Sequence, residues 1–134
     1  MFDSIAQTIA YQKLPLDASV SLSIKRLDQI HPQISGNKFF KLKYNVLEAQ
    51  KQGFDKVLTF GGAYSNHIAA TAYAAHLFGL KSVGIIRGEE LGNKTLNPTL
   101  STAQHFDMQL HFVSRQQYRQ KDQPEYQSAL KQQF

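Results

Sequence analysis

The chain has 134 residues, enough for one domain or a piece of a larger one, and its 42% hydrophobic content with nine Phe and six Tyr argues against intrinsic disorder. Lys and Arg exceed Asp and Glu for a net charge of +5, which permits acidic or phosphorylated ligands without requiring them. No cysteine is present, so disulfide frameworks, thiolate nucleophiles and thiolate-bound zinc are excluded, and the cytoplasm is the expected compartment.

Residues 1–10 carry Asp3 and Gln7 where an export signal would be basic and then apolar, and no run is long and apolar enough to predict a membrane span. This start is expected to be helical or frayed. Residues 18–27 (ASVSLSIKRL) set Val20, Leu22 and Ile24 against Ser19, Ser21 and Ser23, a period of two that predicts a half-buried strand. That strand is expected to edge or precede the main sheet, as the one strand of an N-terminal segment over residues 1–35. Pro32 and Gly36 mark residues 31–37 as a loop. From Lys38 onward, Phe39, Leu42, Val46 and Leu47 fall at helical spacing until Gly53, about four turns.

Residues 56–60 form a short apolar run closed by Gly61-Gly62, and residues 65–80 read as an Ala-rich helix ended by Gly79. A strand follows over 81–87, a polar loop over 88–97, a helix over 98–106 and a strand over 108–113. Strands alternating with helices predict an α/β fold, a three-layer open parallel sheet with helical crossovers, whose core occupies residues 36–114. The polar tail, 115–134, keeps Tyr118, Tyr126 and Leu130 at helical spacing and is expected to be helical. The sequence stops without a further strand or cap, the ending expected of a chain cut inside a larger architecture.

Two polar constellations bear chemistry. Ser35-Gly36-Asn37-Lys38 delivers a lysine to the first position of a helix, where the helix dipole opposes an ammonium by about 0.3 to 1 kcal/mol. An amine that must attack a carbonyl has to be neutral, and such a place favours the neutral form. The plainer reading is a solvated lysine on a basic helix that also carries Lys41 and Lys43. Gly61-Gly62-Ala63-Tyr64-Ser65-Asn66-His67 lies between a strand end and a helix start, where parallel sheets bind ligands and helix N–H groups attract anions. Ser65, Asn66 and His67 suit a carboxylate or phenolic oxygen; the plainer reading makes Ser65 an N-cap and the glycines a turn.

GGAYSN lacks the third glycine of a dinucleotide fingerprint, no phosphate-binding GxxxxGK[ST] loop occurs, and the five histidines show no metal-ligand spacing. Arg115, Arg119 and Lys121 form a basic stretch without the interleaved aromatics of a nucleic-acid platform, and a solvated face is expected there.

Taken together, SGNKFFKLKYNVLEA and FGGAYSNHIAATAYAAHLFGLKSVGIIRGE resemble the pyridoxal-phosphate enzymes of the tryptophan-synthase-β-like fold (fold type II). The specific resemblance is to the family of 1-aminocyclopropane-1-carboxylate deaminase and D-cysteine desulfhydrase, over about residues 36–118. The resemblance implies that Lys38 links covalently to pyridoxal 5'-phosphate, with Asn37 as its motif neighbour, and that Asn66 hydrogen-bonds the cofactor's ring oxygen. It implies that Ser65 faces the substrate, handling its carboxylate or acting as nucleophile or base, and that His67 lines the carboxylate site. Phe40 departs from the family, which commonly has Arg there.

The implied reaction releases ammonia and a keto acid from a small amino acid, with the cofactor as electron sink. A homodimer is the implied assembly; neither nucleic acid nor membrane is an expected partner. Family chains are more than twice as long, with a phosphate cradle and further active-site groups beyond this sequence. The expectation is therefore an N-terminal portion that binds cofactor weakly if at all, and the rival is a catalytically inactive α/β remnant or interaction module.

Overall fold

A computed structural model describes residues 2–17 and 19–134. In chain order the elements are α1 (Phe2–Ile5), β1 (Tyr11–Lys13), β2 (Ser23–Lys25), α2 (Asn37–Lys51), β3 (Lys56–Gly62), α3 (Asn66–Leu77), β4 (Lys81–Arg87), α4 (Pro98–His105), β5 (Met108–Val113), α5 (Arg115–Arg119) and α6 (Pro124–Gln133), with one-turn 3-10 helices at Leu27–Gln29 and Glu89–Leu91. None of these helices is long and apolar enough to cross a membrane.

β4 is the central strand of a parallel sheet ordered β3-β4-β5. It pairs from Lys56↔Lys81 to Gly62↔Arg87 on one side and from Ser82↔Met108 to Arg87↔Val113 on the other. Parallel neighbours need crossovers, and α3 and α4 supply them. Because helices cover both faces, β4 reads as an apolar run instead of an alternation, with Ser82 through Ile86 all buried. Val83 and Ile85 pack with Val113 and Leu130 under α5 and α6, while Ile86 packs with Ile68, Ala72, Leu100, Ala103 and Met108 under α3 and α4. Each fully buried Val or Ile contributes about 1.5 to 3 kcal/mol. The expected three-layer α/β sheet is the one observed.

α3 is apolar on more than one side because it is covered on more than one side. Ile68 and Ala72 face the sheet cluster, while Ala70 and Ala74 meet Phe39, Leu42 and Val46 of α2 in a second cluster that also holds Phe2, Ile30 and Ile34. Gln50 Nε2 donates to Phe78 O at 3.1 Å, tying the ends of α2 and α3 together. Gly61 permits the close approach of α3 to β3, since a Cβ there would lie 2.8 Å from Ile68 Cδ1.

The N-terminal expectation is corrected. Ala18 lies outside the described residues; Ser23–Lys25 form β2, exposed throughout and antiparallel to β1 in a two-stranded ribbon separate from the main sheet. Among the described residues, the segment 1–35 therefore holds two short strands, and Val20 is 67% and Ile24 44% exposed. An alternating pattern shows that one face is apolar; burial also requires a covering layer, which this ribbon lacks. β3 extends through Gly61 and Gly62, which were expected to follow it. The polar tail folds as two helices, the first opened by a capping box between Ser114 and Gln117, and its Tyr118, Tyr126 and Leu130 close the second face of the sheet.

Gly61→Ala is expected to lower stability by about 1 to 3 kcal/mol, because Ile68 is displaced from a filled core. Urea unfolding of Gly61→Ala, Ile68→Ala and the double variant should give a combined loss smaller than the two single losses added, since the truncated Ile68 no longer opposes the new methyl.

Candidate active site

The site begins with a backbone requirement. Gly36, the N-cap of α2, has φ 63° and ψ −146°, a conformation essentially confined to glycine, while a Cβ there would meet nothing within 4 Å. The demand for glycine is therefore conformational, not steric. This turn swings the chain out of the loop and makes Lys38 the second residue of α2, one place later than expected. Lys38 is half-buried, and its Nζ donates to Asn37 Oδ1 at 2.9 Å.

Across from it, α3 starts where β3 ends, with Ser65 at the N-cap position. The Ser65 carbonyl accepts the Ile68 N–H at 3.0 Å, but its side chain makes no cap hydrogen bond. The hydroxyl expected to cap the helix is thus uncommitted to it. Asn97 does the fastening from the neighbouring helix: its Oδ1 accepts the Leu100 N–H at 2.9 Å, and its Nδ2 donates to Ala63 O at 3.0 Å. The β3–α3 turn is thereby clamped to the start of α4.

Lys38 and Asn66 line one cleft of about 330 Å³. Pro32, Gln33 and Ser35 form its loop wall, and Pro98, Thr99 and Thr102 of α4 form the other. Ser65, the neighbour of Asn66, is not among its lining residues. Sequence reasoning missed the α4 wall: Asn97-Pro98 signals a helix start, but not which cleft that start will border. The donor set, a lysine amine with two carboxamides and three hydroxyls, fits a ligand that carries an aldehyde and acceptor oxygens.

His67 goes elsewhere. It lines a second, more apolar cleft of about 520 Å³ with Leu42, Val46, Thr59 and Thr71, and its Nδ1 is buried without a hydrogen-bond partner. Consecutive helical residues diverge by about 100° around the axis, so three adjacent polar side chains cannot all point into one cleft. Burial holds the His67 pKa below the ordinary histidine range, and the charges of Lys38 and Lys41 lower it further.

No family model matches the chain. A Pyrococcus abyssi protein named for 1-aminocyclopropane-1-carboxylate deaminase activity is 39% identical over 87 residues, 63% of this chain and 26% of the relative. A Thermotoga maritima protein named for the same activity is 44% identical over 80 residues, 60% of this chain and 25% of its own length. The bifunctional D-cysteine desulfhydrase/1-aminocyclopropane-1-carboxylate deaminase of Arabidopsis thaliana is 35% identical over 106 residues, 77% of this chain and 26% of that protein. The crystal structure of an ACC deaminase homologue superimposes with a TM-score of 0.69 at 29% identity, covering 81% of this chain and 33% of that one. The chain is related to the 1-aminocyclopropane-1-carboxylate deaminases and D-cysteine desulfhydrases. It spans about a quarter of the length of the curated deaminases and desulfhydrases it matches.

Relatedness to the deaminases makes the neighbourhood of Lys38 the region to probe in solution. Histidine resonances followed against pH should show His67 neutral to a pH below the usual midpoint of about 6.5. Lys38→Met is expected to raise that midpoint, because a positive neighbour disfavours the imidazolium and its removal relieves that cost. An unchanged midpoint would mean that the two side chains do not sense one another.

Proposed function

We propose that this chain carries the lysine-bearing part of a pyridoxal-phosphate-dependent deaminase or lyase, acting on a small amino acid with release of ammonia and a keto acid. One observation carries the reading: Lys38 and Asn66, far apart in sequence, line the same cleft beside a helix N-terminus. When bound, the cofactor supplies an electron sink for the bond broken at the substrate's α carbon.

The chain's own residues have separate tasks. Lys38 would hold the cofactor through its aldehyde carbon, and Asn37, which accepts from Nζ, holds the direction of the amine. Asn66 would hydrogen-bond the ring oxygen. The Ser65 hydroxyl, free of capping duty, would serve the substrate, either at its carboxylate or by moving a proton. The first N–H groups of a helix lack intrahelical acceptors and attract anions, so the start of α3 would add to a carboxylate site. His67, turned into the second cleft, would contribute to that site through its backbone N–H instead of its ring.

A homodimer and a cytoplasmic location belong to the same reading. Covering about a quarter of the relatives' length, the 134 residues are proposed to support weak cofactor attachment without turnover.

The test is covalent capture. Incubation with pyridoxal 5'-phosphate should give a visible absorbance band, and borohydride reduction should fix the label on Lys38 in preference to the other lysines, as mapped by peptide mass. Lys38→Ala is expected to abolish the band and Lys41→Ala to keep it. Asn66→Ala should weaken binding about two- to tenfold, the worth of one hydrogen bond. Label spread evenly over the lysines, with a band indifferent to Lys38→Ala, would favour the inactive remnant.

A further inference from the structure

His31 is a buried polar side chain that the proposed chemistry does not use. Its Nδ1 accepts two backbone N–H groups, from Gln33 at 3.0 Å and from Ile34 at 3.1 Å. Pro32, between them and the ring, has no N–H to offer. The ring leans on Tyr73 of α3 with centroids 5.3 Å apart. The segment fastened this way is the loop wall of the Lys38 cleft: Pro32, Gln33 and Ser35 line it, while Ile34 is wholly buried beside Phe39 in the cluster beneath α2. Ser35 and Gly36 then lead directly into α2 and Lys38.

A ring nitrogen that accepts two N–H groups must present its lone pair, so the imidazole is neutral and carries its proton on Nε2. A proton on Nδ1 would set a donor against two donors and remove both bonds at once. An Asn side chain makes the equivalent turn with its Oδ1, which accepts N–H groups two and three residues on and does not titrate.

We propose that His31 is a positioning residue of the Lys38 cleft, which holds the Pro32 to Ser35 wall only while its ring is neutral, so that acid releases the wall. Two titratable groups among the described residues stand near the ring. Tyr73 approaches from α3, and Asp28 of the Leu27–Gln29 turn lines a small cleft beside His31 together with Gln7 and Thr8. The Asp28 carboxylate is taken by Arg26 at 2.6 Å. Burial is the cause that moves His31, and it moves the pKa down. The folded protein then binds the proton less readily than the unfolded chain. The wall's contribution is intact above about pH 6.5 and is lost as pH falls through the lower folded value.

Amide protection factors of Gln33 and Ile34 in the full ¹⁵N-labelled chain, read alongside the His31 ring titration, test this without cofactor. In the wild type both factors should fall about two- to tenfold as His31 protonates, the worth of one backbone hydrogen bond each. His31→Asn should stay protected across that range, and His31→Ala should lack the protection at every pH. Equal protection on both sides of the wild-type titration, a neutral ring protonated on Nδ1, or acid loss in His31→Asn matching the wild type would each overturn the proposal. The ring tautomer and the wild-type amides decide the matter even if a variant fails to fold.

The consequence for Lys38 rests on the reading of the cleft given above. Pyridoxal-phosphate labelling of Lys38 should fall on the acid side more in the wild type than in His31→Asn. Amide behaviour that holds while Lys38 labelling fails would leave the loop device standing and remove only the cofactor reading.

Discussion

The close packing of α3 between the sheet and α2 is the constraint on which the rest depends. Its sheet-facing side presents Ile68 against the bare backbone of Gly61, and its other side presents Ala70 and Ala74 to Phe39, Leu42 and Val46. Small residues on both sides let two helices and a strand approach closely, as dense interiors require. Because the C-terminal ends of α2 and α3 are tied by Gln50 and Phe78, their N-terminal ends open together at one cleft. The juxtaposition of Lys38 and Asn66 follows from this core.

The same geometry divides the labour among neighbouring side chains. Asn66 enters the cleft and His67 leaves it, because a helix turns about 100° per residue. Gly36 supplies the backbone turn that only glycine adopts readily, and Asn97 clamps the β3–α3 turn to α4. The loop wall hangs on the acceptor nitrogen of His31. Polar side chains thus hold both walls in place, while the chemistry assigned to the cleft falls to an amine and an amide.

Much of this was legible in the chain and some was not, for definable reasons. β4 and β5 stand at the residues expected: β4, covered on both faces, leaves a continuous apolar run with Ser82 through Ile86 buried, whereas β5 alternates, with Gln109 exposed between Met108 and Leu110. The inward residues Phe39, Leu42 and Val46 followed from helical spacing, whereas Leu47, on the same count, is 39% exposed at the edge of the buried face. Residues 18–27 misled because alternation does not reveal whether anything covers the apolar face. The GNK and SNH motifs pointed to the deaminases and desulfhydrases to which the chain is related. The Pro98, Thr99 and Thr102 wall and the His31 turn depend on tertiary placement, for which HPQIS and NPT offer only turn and helix-start signals.

The central claim, that core packing brings Lys38 beside Asn66, is open to a direct distance measurement in a chain with no cysteine of its own. Lys38→Cys/Asn66→Cys, treated with a short thiol cross-linker, should close far faster than Lys38→Cys/His76→Cys, whose second thiol sits about 15 Å further along α3. Adding Ala74→Leu should wedge α2 away and slow the first pair. Equal closure rates for the two pairs would contradict the account.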